Sequence, residues 1–125
     1  MNVQSALNAY KETNLTEIDD ASPHKLIELT FKDLKKNLVI IRRKLDENIS
    51  IGGLESAKAV AALEILKSSL NHEEGGEIAR NLEQIYNYSL NQLHLVIKEE
   101  KEHELDSVIS IINSLVDAWS SISEN

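Results

Sequence analysis

HEEGGEIARNLEQIYNYSL, His72 to Leu90, places two of the chain's four glycines side by side at Gly75 and Gly76, directly before a helical pattern. A glycine-rich turn ahead of a helix N-terminus can cradle a phosphate. It can equally form a corner between two helices. A phosphate loop needs a lysine and a Ser or Thr after its glycines. Here Glu77-Ile78-Ala79 follow, and Glu73, Glu74 and Glu77 would repel a phosphate. Carboxylates in a first helical turn instead favour the helix dipole. The stretch therefore reads as a corner, with Gly75 closing one helix in a left-handed cap and Gly76 opening the next.

On either side of that corner the apolar residues recur at helical spacing. Downstream, Ile78, Leu82 and Ile85 form one stripe, and Leu82, Tyr86, Leu90, Leu93 and Ile97 form a second. Upstream, Ala59, Leu63, Leu66 and Leu70 step 4, 3, 4 in a helix over 54–71. Its alanine-rich first half (AKAVAAL) lets a neighbour approach closely. Further back, Ser22-Pro23 has the form of an N-cap followed by the favoured first-turn proline. Ile27, Phe31, Leu34, Leu38, Ile41 and Leu45 then make a heptad seam that predicts a helix to about Asn48, closed near Gly52-Gly53. After the polar corner Lys98–Glu104, a last helix carries Leu105, Val108, Ile112, Leu115, Trp119 and Ile122. Four amphipathic helices with short connections predict an all-α fold, an antiparallel four-helix bundle over 22–125. Residues 1–21 form a flexible N-terminal segment in which Val3, Ala6, Leu7 and Tyr10 suggest one short extra amphipathic helical stretch.

Composition narrows the function. The 125 residues suit one domain, and a hydrophobic share of 42% suffices for its core. The net charge of −8 opposes nucleic-acid binding. Between Pro23 and Leu45, however, seven cations face only Glu28 and Asp33, a local +5 that leaves −13 elsewhere. Such a helix can pair with acidic neighbours within the fold or meet an acidic partner. The absence of cysteine excludes a disulfide framework and thiolate chemistry. No signal-peptide pattern and no apolar run of about 18 residues is present, so the expectation is a soluble cytosolic (cytoplasmic) protein without stable membrane insertion.

No catalytic pattern emerges. A di-iron bundle requires two Glu-x-x-His pairs; the chain has only Glu100 with His103, at a corner. His24 is expected at the surface and His94 at the edge of the core. The serines lie inside helical stretches, and no carboxylate pair sits on an apolar stripe. We expect no enzyme activity, no cofactor and no metal. What remains is the wide apolar surface of the third and fourth helices, broader than one seam needs. It can widen the core, or form a groove for a partner helix anchored at i, i+3/i+4 and i+7, covered for a time by the chain's own N-terminal segment.

Four stretches resemble the FliS family of flagellar export chaperones: NAY with Tyr10, SPHKLIELTF (22–31), SSLNHEEGGEIARNLEQIYNYSL (68–90) and LVDAW (115–119). They lie in order along nearly the whole chain. Three details depart from the family pattern: Phe31-Lys32-Asp33-Leu34 early in the first helix, SIGGLES (50–56), and Ser69-Leu70-Asn71. The resemblance implies binding of the disordered C-terminal region of flagellin, prevention of its premature polymerisation, and delivery to an export gate component of the flagellar type III secretion apparatus. It also implies an N-terminal segment that can cover the binding surface. On that reading the partner-binding residues are Ile78, Leu82, Tyr86, Leu93 and Ile112, with Leu7 and Tyr10 in the lid. The protein would be a monomer or a swapped homodimer. Alternatives from other classes are a degenerate metal-binding bundle and a regulator of another export or anti-sigma-type partner, without a flagellin client.

Overall fold

A computed structural model describes residues 23–121, which form four helices: α1 (Pro23–Asp46), α2 (Leu54–Ser68), α3 (His72–Ile97) and α4 (Leu105–Ser120). Leu7, Tyr10 and the expected cap Ser22 lie outside the described residues. The helices neighbour one another in a ring, α1 against α2 and α4, and α3 against α2 and α4. Arg42, near the end of α1, meets Asp106 at the start of α4, while His24 at the start of α1 meets Trp119 near the end of α4. These two helices are therefore antiparallel.

The heptad seam of α1 sits where its spacing predicts. Ile27, Phe31, Leu34, Leu38 and Ile41 are all buried and Leu45 is partly buried. Full burial of each such side chain is worth about 1.5–3 kcal/mol. α2 buries Ala59, Ala62, Leu63 and Leu66. Its small residues leave room for α1, its most extensive partner. α1 ends without glycine. Asn48 takes φ 57°, while Ile49 N–H donates to Lys44 C=O (2.8 Å) and Asn48 N–H to Leu45 C=O (3.2 Å). That pair of bonds is a Schellman closure. α3 ends in the same way around Glu99, φ 62°.

The corner at residues 69–76 differs from expectation in detail. α2 stops at Ser68, three residues early, and Ser69 caps it in a right-handed conformation. Asn71 then caps a new turn by accepting from the Glu74 N–H (2.9 Å). The left-handed residue is Gly76 (φ 51°, ψ −126°), not Gly75. The break there is sharp. The His72 Nε2 to Glu83 Oε2 distance is 3.6 Å, whereas eleven residues of straight helix would span about 16 Å. The turn 72–75 thus folds back along α3.

His24 corrects a second expectation. It is buried, its ring stacked on Trp119 at 5.1 Å and 15°. Trp119 Nε1–H donates to the His24 carbonyl (3.0 Å). Burial follows because the partner ring arrives from 95 residues away, which local periodicity cannot register.

Candidate partner-binding surface

α3 carries more apolar side chains than the core takes. Leu82, Tyr86, Leu90, Leu93 and Val96 are buried, while Ile78, Ile85, Tyr88 and Ile97 are only partly covered. Ile78, Ile85 and Gln92 are seven residues apart and so share one line along the helix. That line faces α4. Gln92 Oε1 accepts the backbone N–H of Glu104, the N-cap of α4, at 2.8 Å. One turn before Gln92, the Tyr88 hydroxyl donates to the Glu104 carboxylate (2.9 Å). On α4, Asp106 and Ile109 lie toward α1, while Leu115 lies on the other side of the buried Ile112. The packing between α3 and α4 is the least extensive in the ring of neighbours. A seam results, edged by Ile78, Ile85, Tyr88 and Leu115.

Of the sequence-derived contact residues, Ile78 stands on this seam, partly buried. Leu82, Tyr86, Leu93 and Ile112 are at most 1% exposed. In this arrangement they form the floor beneath the seam and offer no surface to a partner. Leu7 and Tyr10 fall outside the described residues. Ile85, Tyr88 and Leu115, the other residues on the edge of the seam, are not among the sequence-derived ones. The seven-residue line from Ile78 through Ile85 to polar Gln92 was the available signal for such a boundary.

Several ion pairs lie along α1 and at its borders with its neighbours. Lys44 pairs with Glu55 across the α1–α2 connection and holds that carboxyl below its ordinary value. The hydrogen bond from Lys25, with Lys32 also near, does the same for Glu28. Arg42, bonded to Asp46 (2.7 Å) and Asp106 (3.2 Å), is held in its charged form above the usual guanidinium value. A cleft of about 540 Å³ opens at one end of the bundle among Ile49, Ile51, Val96, Lys101 and His103. Its imidazole is engaged, since His103 Nδ1 accepts the Leu105 N–H (3.3 Å). Among the described residues no group of His, Asp and Glu side chains is arranged to hold a metal ion, and no helix is long and apolar enough to cross a membrane.

Fold and surface together define an all-α bundle with an apolar seam between its last two helices. A family model described as Flagellar protein FliS matches residues 6–125, and the chain belongs to this family. It is 31% identical over 122 residues to a flagellar secretion chaperone FliS of Vibrio cholerae, covering 96% of this chain and 90% of that one. Against the flagellar secretion chaperone FliS of Salmonella typhimurium it is 30% identical over 126 residues, covering 98% and 93%. Against the flagellar secretion chaperone FliSB of Pseudomonas aeruginosa it is 28% identical over 125 residues, covering 98% and 99%.

Proposed function

We propose that this protein is a cytosolic, non-enzymatic chaperone of flagellin. It binds the disordered C-terminal region of flagellin, keeps the subunits from polymerising early, and delivers them to the flagellar type III export apparatus through a component of the export gate. The observation that carries this reading is the family match over residues 6–125, beside relatives named as flagellar secretion chaperones. The seam between α3 and α4 supports it physically. An amphipathic client segment needs apolar anchor points along one line, and Ile78 and Ile85 on α3 with Leu115 on α4 supply them. Leu82, Tyr86, Leu93 and Ile112 join the contact where the client parts the two helices and reaches the floor. Leu7 and Tyr10 act as the lid that the client displaces.

Light scattering of flagellin during self-assembly tests the proposal. An equimolar amount of the protein should suppress filament growth. The double variant Ile85→Ser/Leu115→Ser, changed only on partly covered positions, should suppress it at least about tenfold less effectively, since each lost apolar anchor is worth roughly 1–2 kcal/mol. Undiminished filament growth in the presence of folded wild-type protein would refute the reading.

A further inference from the structure

The buried seam of α1 has a counterpart on the opposite side of the same helix. Lys25, Leu29, Lys32, Lys36, Val39 and Arg43 repeat at the spacing 4, 3, 4, 3, 4. Leu29 and Val39 are 48% and 50% exposed. Lys36 and Arg43 are exposed and form no ion pair among the described residues, while Lys25 and Lys32 share Glu28. The row contains no carboxylate. Neither neighbouring helix covers it. α1 meets α2 through Lys44 and meets α4 through His24 and Arg42, and these side chains flank the buried seam rather than the outer row.

Among the described residues nothing calls for the two apolar side chains there. A β-branched valine loses side-chain freedom on an exposed helix face, where Lys, Glu or Gln would serve better. Leu29 and Val39 stand about 15 Å apart, close to three helical turns. We propose that the outer face of α1 is a second docking surface, taking an acidic amphipathic helix of a partner protein. Leu29 and Val39 are its apolar anchors, and Lys32, Lys36 and Arg43 its charge partners.

Charge complementarity selects this occupant. The row is a cationic strip on a segment, Pro23 to Leu45, outside which the chain carries −13. A long polyanion such as nucleic acid would overrun the strip onto that acidic remainder, whereas a short acidic helix matches its length and stays within it. A membrane anchor needs a broad apolar face, and two half-exposed side chains do not provide one. The location has a consequence. In the ring of helices α1 stands diagonally across from α3, so a partner on this row leaves the α3–α4 seam free. The protein can hold a client and a second partner together.

The test is fluorescence anisotropy of the full-length chain with a labelled Glu/Ala helical peptide carrying two leucines about ten residues apart. The control is a peptide of identical composition with scrambled order. The ordered peptide should bind about tenfold or more tightly than the scrambled one, and more weakly as salt rises. Lys36→Glu/Arg43→Glu and, separately, Leu29→Ser/Val39→Ser should each reduce its affinity by about tenfold or more. Both variants should keep the wild-type circular dichroism spectrum and the wild-type affinity for a flagellin C-terminal segment. Equal binding of both peptides would reduce the row to diffuse electrostatic attraction and overturn the proposal. So would failure of the full-length chain to bind, whether residues 1–22 or a second copy covers the face. Preference for phosphatidylglycerol vesicles over the peptide would overturn it in favour of a membrane surface. Parallel loss of flagellin-segment binding in the variants would place the row in the client site and remove the second surface.

Discussion

Gly76 turns the chain at φ 51°, ψ −126°, a conformation that side-chain-bearing residues rarely adopt. A Cβ placed there would meet nothing within 4 Å. The demand for glycine is thus set by the backbone and not by crowding. Gly76→Ala should destabilise the bundle by about 1–3 kcal/mol, read as a shift of the urea midpoint at unchanged slope. A neutral result would mean that the turn 72–75 need not fold back along α3. At the opposite corner of the ring, Trp119 and His24 tie the first turn of α1 to the last turns of α4 by a stacked ring pair and a 3.0 Å hydrogen bond. Phe31 packs its ring against the same tryptophan at 6.3 Å. The three rings form an aromatic cluster at that end of α1.

Two helices close on non-glycine residues in a left-handed conformation. Asn48 tolerates it well, but Glu99 does not, and its side chain forms no ion pair among the described residues to offset the strain. Glu99→Gly should therefore stabilise the protein by about 0.5–1 kcal/mol. Thermal unfolding would detect that as a rise of several degrees, and a fall would show that Glu99 has an unrecognised contact. The same helices mark what could be read from sequence. Helix number, order and the α1 seam were legible because 3.6-residue periodicity is local, and Ile27 to Ile41 encode it without interruption. The allocation of α3 side chains was not. Leu82 and Tyr86 belong to the core and Ile85 and Tyr88 to its edge because of where α2 and α4 stand, and one helix cannot specify that about its neighbours. The ends of α1 and α3 were legible too, at about Asn48 and before the polar corner Lys98–Glu104. The detail of the closures was not, since Glu99 gives no left-handed signal and the left-handed glycine of the 75–76 pair is the second. Likewise Leu29 and Val39 stand outside the heptad seam, so its periodicity does not mark them.

Across the whole molecule, charge is divided between a cationic α1 and an acidic remainder, and some of the cations are consumed at helix borders. Lys44 holds the Glu55 carboxyl below its ordinary value of 4.5, so the pair stabilises the fold at neutral pH. That contribution is lost as protons bind Glu55 below about pH 4.5. The stability difference between wild type and Lys44→Ala, measured by urea unfolding, should accordingly be present at pH ~7 and shrink by pH ~3.5. A difference that stayed constant would assign the effect of Lys44 to packing of its stem. On the proposed function, the α3–α4 seam takes a flagellin segment as its client. Titration calorimetry of the full-length protein with a flagellin C-terminal segment, repeated at several temperatures, tests it most directly. Folding of a disordered client onto apolar grooves predicts one-to-one binding with a large negative heat-capacity change, corresponding to roughly 1,000–3,000 Å² of buried surface. Absence of binding to the folded protein, or binding without that heat-capacity change, would rule out a client folding on the seam.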